Sequence, residues 1–269
     1  YTLDNNVVGT HNLCSAIVDI DLDINLVHLG TMGVYGYSKV FGAIPEGYLD
    51  IEIKSTGNDA NILYPANPGS VYHLTKCLDQ LVFQFYSKNW GLKVTDLHQG
   101  IVWGIETSLT SIDPRLTNRF DYDGLYGTVL NRFISQSCNK FPLTVYGVGG
   151  QARAFINISD TARCIKLAIE NPPKNGERVR IFNQVSEVKT VLELAEMISS
   201  HTGVEIQRVE NPRNELAENE LEVANDGLRS LGFEPILLEN GLVDDVMFIA
   251  DNTKENFNTD VVLNSAKWV

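Results

Sequence analysis

The pattern of hydrophobic and polar positions alternates short apolar runs with helical periodicities, which is typical of a parallel sheet flanked by helices. Apolar residues three and four apart predict a helix over 7–20, and the apolar run at 24–29 predicts a buried parallel strand. This strand leads directly into the segment GTMGVYG at 30–36. We interpret that segment as a functional loop, since such loops follow strand ends.

A second helix is predicted after a polar loop that extends to about residue 67. Pro68 suits a first helical turn, and Gly91 suits a helix end. Between them one apolar face is formed by Val71, Leu74, Leu78, Leu81, Val82 and Phe85.

The remaining pattern continues the alternation of strands and helices. Strands are predicted at 92–97, 143–146, 154–158 and 178–182, and helices at 122–139 and 161–170. The last third is predicted to be helical, with an interruption at Asn211-Pro212-Arg213. The chain is therefore predicted to be of the α/β class.

The charge balance argues against a nucleic-acid partner. The chain has 21 Lys and Arg against 34 Asp and Glu, a net charge of −13, and no basic stripe that could neutralise phosphates. No run approaches the roughly 20 apolar residues of a membrane helix. The four cysteines lie far apart, without disulfide or metal spacing, so we expect no metal site and a reducing compartment such as the cytoplasm or a plastid stroma.

Tyr72 and Lys76 are the most informative local pair. Four residues apart on a helix, they lie on one face and can approach one ligand. A nearby ammonium lowers the phenol pKa from near 10 by about 1 to 3, which makes a phenolate base accessible. The alternative is an exposed aromatic residue beside a solvated charge. Thr31, at the end of the preceding strand, either caps a turn or offers its hydroxyl to the same substrate.

Together these elements resemble the extended short-chain dehydrogenase/reductase superfamily, and within it the UDP-sulfoquinovose synthase family. The segment VYGVGGQAR at 145–153 resembles the superfamily's nucleotide-sugar segment. The resemblance to the synthase family rests on LGTMG at 29–33, YHLTK at 72–76, DLHQGIVWG at 96–104, NRFDYD at 118–123 with LNRF at 130–133, and NPR at 211–213.

The resemblance implies the C-terminal part of a doubly wound, Rossmann-like parallel sheet with a smaller mixed substrate-binding domain. Residues 1–103 would form the remainder of the NAD-binding domain and 104–269 mainly the nucleotide-sugar-binding domain, with 153–184 returning to the first. The implied partners are NAD as cofactor and UDP-glucose and sulfite as substrates, with a homodimer as the implied assembly.

The resemblance also implies roles for individual residues. Thr31, Tyr72 and Lys76 would be catalytic: Tyr72 would take the proton of the glucose 4-hydroxyl as C4 gives hydride to NAD. Cofactor contacts would come from Tyr72, Lys76, Gln99 and Val102. Substrate contacts would come from Thr31, Gln99, Asn131, Thr144, Val145, Tyr146, Arg153 and Arg213, the two arginines binding the diphosphate.

Two departures from the family pattern keep alternatives open. The glycine-rich dinucleotide loop, with its first strand and helix, is not found, so we expect this polypeptide alone to bind NAD poorly or not at all. Val34 stands where the synthase pattern has glutamate. A UDP-sugar 4-epimerase or dehydratase, and a non-catalytic protein that binds nucleotide sugars, therefore remain the alternatives.

Overall fold

The computed structural model describes residues 1–36, 42–116, 118, 120–123, 127–211 and 216–242. Six α-helices lie entirely within these residues: α1 (Gly9–Asp19), α2 (Val71–Trp90), α3 (Val129–Cys138), α4 (Ile158–Glu170), α5 (Val191–Thr202) and α6 (Asp226–Ser230). A further helical stretch begins at residue 238. A π-helical turn, Asp4–Val8, precedes α1, and 3₁₀ turns occur at Met32–Tyr35, Thr110–Ile112 and Pro114–Leu116. In this part of the chain no helix is long and apolar enough to cross a bilayer.

Ten strands occur in the same residues. They are β1 (Asn25–Thr31), β2 (Tyr48–Ile53), β3 (Asn58–Leu63), β4 (Lys93–Gln99), β5 (Ile101–Trp103), β6 (Leu143–Tyr146), β7 (Ala152–Asn157), β8 (Arg180–Gln184), β9 (Glu187–Thr190) and β10 (Ile206–Val209). The chain divides into two compact units. The first comprises 1–100, 162–185 and 222–234, and the second comprises 101–161, 186–221 and 235–269.

The first unit contains a parallel sheet with the strand order β1-β4-β8. The predicted α/β class with parallel strands is thus confirmed. Thr31 pairs with Gln99, and Gln99 pairs with Gln184, so the three strands end at the same edge. In parallel α/β sheets this carboxyl edge is where ligands bind. The buried cluster beside the sheet consists of Cys14, Ile17, Phe83, Tyr86, Leu92, Val94, Val179 and Ile181.

Helix α2 has the predicted position, but it buries a different side from the predicted one. Its apolar stripe consists of Val71, Leu74, Leu78, Leu81, Val82 and Phe85. The Ser70 hydroxyl accepts a hydrogen bond from the His73 N–H at 3.1 Å and caps the start, and Gly91, at φ 69°, ends the helix. The apolar stripe lies at the surface, with Leu81 57% and Phe85 51% exposed. The buried side instead carries Thr75, Cys77, Asp79, Gln80, Phe83, Tyr86 and Ser87.

The segment predicted as a polar loop before α2 contains a β-hairpin. Strands β2 and β3 pair antiparallel, with Tyr48 opposite Leu63. Gly57, at φ 69°, lies in the turn, where a residue with a Cβ would be strained. Strand β2, YLDIEI, alternates apolar and acidic residues, which is a strand signal that the prediction of a polar loop did not take into account, whereas β3, NDANIL, begins with polar residues.

The second unit contains a sheet with the order β5-β7-β9 and a parallel pair formed by β6 and β10. Helix α3 begins at Val129 rather than at 122, because the Thr128 hydroxyl caps it by accepting the Asn131 N–H at 3.2 Å. Within the described residues of the last third, the chain is less helical than predicted, since β10 follows α5. The core consists of Trp103, Ile105, Leu130, Phe133, Ile134, Leu143, Val145, Phe155, Leu194, Ala195, Ile198, Leu238 and Leu242.

Candidate active site

Thr31 is the last residue of β1, and its hydroxyl group caps the turn that follows. Its Oγ1 accepts a hydrogen bond from the Gly33 N–H at 3.1 Å, and the residue is buried. A hydroxyl that accepts one hydrogen bond still has its own hydrogen to donate and a second lone pair. Thr31 can therefore cap the turn and bind a substrate hydroxyl at the same time.

Tyr72 lies in the first turn of α2 and is 42% exposed. Partial burial raises its pKa above the usual value of a phenol, and the negative charge of Asp79 raises the pKa further. The expectation that Lys76 lowers the pKa of Tyr72 is therefore wrong for the chain without ligands. At neutral pH Tyr72 is a neutral phenol in this structure, whose hydroxyl can both donate and accept a hydrogen bond.

The contacts of Lys76 explain why its charge does not act on Tyr72. The Nζ atom donates a hydrogen bond to the Leu29 carbonyl oxygen at 3.0 Å and lies 3.1 Å from His28 Nε2. A longer ion pair, 4.0 Å, joins Nζ to Asp79 Oδ2. The ammonium is thus turned toward β1, and its side chain is only 16% exposed.

Helix α2 packs directly against the turn that follows Thr31. A Cβ added at Gly33 would overlap the imidazole ring of His73, so only glycine fits this contact. The Cys77 thiol lies 4.0 Å from the Val34 carbonyl oxygen, one turn further along the helix. The residues next to Thr31 in the chain and those next to Tyr72 are therefore in contact.

We expect the substitution Gly33→Ala to lower the free energy of unfolding by about 1 to 3 kcal/mol, because the new methyl group displaces the His73 ring. Urea denaturation would measure this change. Gly69→Ala is the matched control, since a Cβ there meets His73 Nδ1 at an ordinary 3.8 Å. The double variant Gly33→Ala with His73→Ala should recover part of the loss; equal losses in the single and double variants would show that the ring is not the obstacle.

A cluster of buried polar residues that the sequence analysis did not identify lies behind Lys76. His28 Nδ1 is 2.8 Å from Asp96 Oδ1, and Asp96 Oδ2 is 3.1 Å from His98 Nε2. His98 Nδ1 in turn lies 2.7 Å from the Tyr35 hydroxyl. The available signal was a charged or imidazole side chain inside an apolar strand, as in NLVHLGT and KVTDLHQ.

The pKa values of the two carboxyl groups of this cluster are shifted in opposite directions. Burial alone would raise the pKa of Asp96, but the charge of His98 and the hydrogen bonds from His28 and His98 outweigh it and hold that pKa well below its usual range. Burial raises the pKa of Asp79, although the hydrogen bond from Thr10 and the charge of Lys76 oppose the increase. Asp96 is therefore the firmly ionised anion of the cluster.

Gln99 and Val102, the other predicted cofactor-binding residues, lie in different units. Gln99 ends β4 beside Thr31 and is partly buried, so its amide lies at the ligand-binding edge of the first sheet. Val102 is the central residue of β5 in the second unit, also partly buried.

Two of the predicted substrate-binding residues in the second unit serve its core. Thr144 exchanges two hydrogen bonds with the Gln136 side chain, at 2.8 and 3.1 Å, and is 1% exposed. The Val145 side chain is fully buried in the core. The side chains of both residues are therefore occupied within the core, and their assignment as substrate-binding residues stays a prediction.

Three other predicted substrate-binding residues of this unit, Asn131, Tyr146 and Arg153, have partly exposed side chains. Tyr146 lies under the Arg132 guanidinium, whose carbon is 4.2 Å from the ring centroid. Asn131 Nδ2 donates to the Asp121 carbonyl oxygen at 3.0 Å. Arg153 donates to the Ala152 carbonyl oxygen at 2.9 Å, and Arg213 lies outside the described residues. Arg132, to which the sequence motif LNRF assigns no individual role, donates a 2.9 Å hydrogen bond to the Thr144 carbonyl oxygen.

Comparisons with known proteins show a consistent relationship along the chain. The model of the NAD dependent epimerase/dehydratase family matches residues 1–183. The chloroplastic UDP-sulfoquinovose synthase of Spinacia oleracea is 41% identical over 273 residues, which cover the whole chain and 56% of that protein. The UDP-sulfoquinovose synthase of Sulfolobus acidocaldarius is 37% identical over 278 residues, which cover the whole chain and 69% of that protein. The chain thus spans little more than half the length of the plant relative.

Solved structures show the same fold. A UDP-glucuronic acid 4-epimerase mutant from Bacillus cereus, solved with a fluorinated UDP-glucuronic acid and NAD, aligns with a TM-score of 0.69 at 23% identity over 92% of this chain and 68% of that chain. The UDP-glucose 4-epimerase of Thermotoga maritima, solved with UDP-glucose, aligns with a TM-score of 0.67 at 20% identity over 93% and 71%. At such identities the likeness concerns the fold alone. With the family match over 1–183 and the two synthase relatives, the chain belongs to the NAD dependent epimerase/dehydratase family.

Proposed function

We propose that the protein makes UDP-sulfoquinovose from UDP-glucose and sulfite, using NAD that is regenerated within each cycle. The observation that carries this proposal is the 41% and 37% identity, over the entire chain, to two proteins named UDP-sulfoquinovose synthase. The positions of Thr31, Tyr72 and Lys76 around the β1–α2 contact support it, because this constellation suits the oxidation of an alcohol.

The described residues suit the nicotinamide end of NAD by the chemistry of their donors. Lys76 is a cation beside the sheet edge, and Gln99 presents an amide at that edge. Lys76 would bind the ribose hydroxyls, Gln99 would lie between cofactor and substrate, and Val102 would line the nicotinamide pocket. When bound, NAD supplies the hydride acceptor for C4 of the glucose.

In this proposal Tyr72 and Thr31 act on one proton, that of the glucose 4-hydroxyl. Tyr72 takes the proton of the 4-hydroxyl while the C4 hydrogen leaves as hydride, and Thr31 orients that hydroxyl with its remaining donor and lone pair. The 4-keto group acidifies C5, so a proton leaves C5 and hydroxide leaves C6 as water. Sulfite then adds to C6 and a proton to C5. Return of the hydride to C4 and of the proton from Tyr72 completes the balance.

The proposed activity is tested with the full-length protein, UDP-glucose, NAD and ³⁵S-labelled sulfite. We expect ³⁵S in a UDP-sugar, in a molar amount greater than that of the NAD present. UDP-galactose or a 4-keto-6-deoxy sugar without sulfur would instead establish the epimerase or dehydratase. UDP-glucose binding without NAD binding or turnover would establish the non-catalytic alternative.

One observation favours the epimerase or dehydratase as second candidate. Val34 follows Thr31 in the turn, where the synthase pattern has glutamate, and it is 2% exposed. A buried aliphatic side chain has no charge or hydrogen-bonding group that could bind sulfite or assist the loss of water. The labelling experiment above distinguishes the two chemistries directly.

We also propose that the protein forms a homodimer through the apolar stripe of α2. Its most exposed members are Val71, Leu74, Leu81 and Phe85, which lie 41 to 57% exposed on one face of the helix. A contiguous apolar face of this kind is unfavourable in water and is typical of an interface. For location we propose the cytoplasm or a plastid stroma, the latter consistent with the name of the spinach relative.

We expect Phe85→Asp to convert the dimer to a monomer, because the new carboxylate would be desolvated at the interface. Analytical ultracentrifugation measures the change. Ile169→Asp is the matched control, since Ile169 is 61% exposed on a different helix, α4. A dimer that persists in Phe85→Asp, or is lost equally in the control, would contradict this interface.

A further inference from the structure

The ammonium group of Lys76 has three N–H donors and no acceptor. One donor binds the Leu29 carbonyl oxygen at 3.0 Å, and a second meets His28 Nε2 at 3.1 Å. Since an ammonium cannot accept, Nε2 must be the acceptor and carry no hydrogen. Two of the three donors are thereby bound on the β1 side, and a tetrahedral nitrogen leaves the third directed away from them.

The His28 ring is itself held so that Nε2 faces Lys76. With Nε2 unprotonated, Nδ1 carries the hydrogen and donates it to Asp96 Oδ1 at 2.8 Å. Asp96 is 1% exposed and also contacts His98, which fixes the carboxylate from its other oxygen. On the remaining side the ring packs against Phe83, with centroids 4.7 Å apart.

The charged and titratable groups that face His28 support this arrangement. They are Lys76 and Asp79 from α2 and Asp96 from β4, with Asp79 Oδ2 at 3.7 Å from Nε2. The pKa of Asp79 is raised by burial, whereas Asp96 is firmly ionised. The carboxylate that matters most for the orientation of the imidazole is therefore Asp96, on the side opposite Lys76.

We propose that His28 is a positioning residue for the reaction: as a neutral imidazole anchored on Asp96, it accepts a hydrogen bond from Lys76 and fixes the direction of the remaining N–H donor. This proposal rests on the proposed function of Lys76 at the ribose and beside Tyr72. Without the acceptor, the ammonium can rotate and direct its N–H groups toward Leu29, Asp79 or the ligand. The bound substrates then contact the ammonium in the required orientation only part of the time.

Kinetics of three full-length variants test the proposal. His28→Leu removes the acceptor, and we expect kcat to fall about 10- to 100-fold, as for a lost hydrogen bond to a charged group, with KM for UDP-glucose nearly unchanged. His28→Gln places an amide oxygen near the position of Nε2 and should recover most of kcat. His11→Leu is the matched control, because His11 also bonds a residue of α2, Tyr86, at 3.1 Å but does not contact Lys76.

Wild-type kcat in His28→Leu would overturn the proposal, as would equal losses in the Leu and Gln variants, which would indicate a role in the fold only. An independent measurement uses the ¹⁵N signals of the imidazole in the full-length protein without ligands. The proposal expects a protonated Nδ1 and a hydrogen-bonded, unprotonated Nε2, whose signal moves toward that of a free nitrogen in Lys76→Met. A protonated Nε2, or a signal indifferent to Lys76→Met, would overturn the proposal even if the protein catalyses a different reaction or none.

Discussion

Replacing Tyr72 with phenylalanine is expected to lower kcat by about 10²- to 10⁴-fold while the fold stays intact, because the variant loses only the hydroxyl that we propose moves the proton. Tyr72 is half-exposed, so removal of its oxygen creates no buried cavity. Formation of the sulfonated UDP-sugar would be measured in the full-length enzyme. The thermal unfolding of the variant should match that of the wild type.

A second, independent prediction for this residue concerns the pKa of Tyr72. Partial burial and the charge of Asp79 raise the pKa, so in the protein without ligands Tyr72 should ionise above the usual phenol value near 10. The ultraviolet difference between wild type and Tyr72→Phe, followed against pH, isolates this group. A base must be ionised to act, so a raised pKa moves the rise of activity toward alkaline pH. Ionisation of Tyr72 below pH 10 in the free protein would show that Lys76 already acts on the phenol.

Asp96→Asn is expected to be the most destabilising of the substitutions considered, by about 3 kcal/mol at neutral pH, because it breaks a buried charge-paired network. The carboxylate joins His28 to His98, and an amide can accept from only one of them with its oxygen. Urea denaturation at several pH values would measure the effect. The exposed residue Asp59 provides the control substitution Asp59→Asn, which should stay within about 0.5 kcal/mol of wild type.

The pH dependence of this loss has a definite sign. The pKa of Asp96 is lower in the folded chain than in the unfolded chain. Its contribution is therefore complete above the unfolded value near 3.9 and is lost as the pH falls toward the depressed folded value. The difference in stability between wild type and Asp96→Asn should accordingly shrink below about pH 4. A difference that grows on acidification would contradict the ionised role of Asp96.

The elements that form the candidate site could be predicted well from the sequence. The apolar run before Thr31 and the cap residues around α2 are local signals, and both elements lie close to the predicted positions. Thr31 and Gln99 end adjacent parallel strands in register, as expected for residues at one sheet edge. Local patterns were sufficient here because each element is determined by its own residues.

The face of α2 that is buried could not be predicted in the same way. Helical periodicity shows that Leu74, Leu81 and Phe85 share a face, but not what covers that face. The buried side carries Asp79 and Gln80, polar residues that are tolerated there because they meet other polar groups from β1 and β4. Such compensation depends on residues distant in the chain, which no local pattern contains.

The protonation state of Tyr72 also depends on contacts between residues that are distant in the chain. Spacing placed Tyr72 and Lys76 on one helix face, but Leu29 and His28, about 50 positions earlier in the chain, draw the ammonium toward β1. Similarly, Thr144 and Val145 form part of a recognisable motif, yet Gln136 and the core occupy their side chains. In each case a tertiary contact decided the chemical role.

The central claim is that the glucose unit is oxidised and reduced again at C4 within one active site. Turnover of UDP-glucose that carries deuterium at C4, with unlabelled NAD and sulfite, tests this most directly. The account predicts a sulfonated product that retains deuterium at C4 and forms more slowly than the unlabelled product, with both features dependent on Tyr72. A sulfonated product that forms at the same rate from both substrates, or that has exchanged its C4 deuterium for hydrogen, would contradict the account.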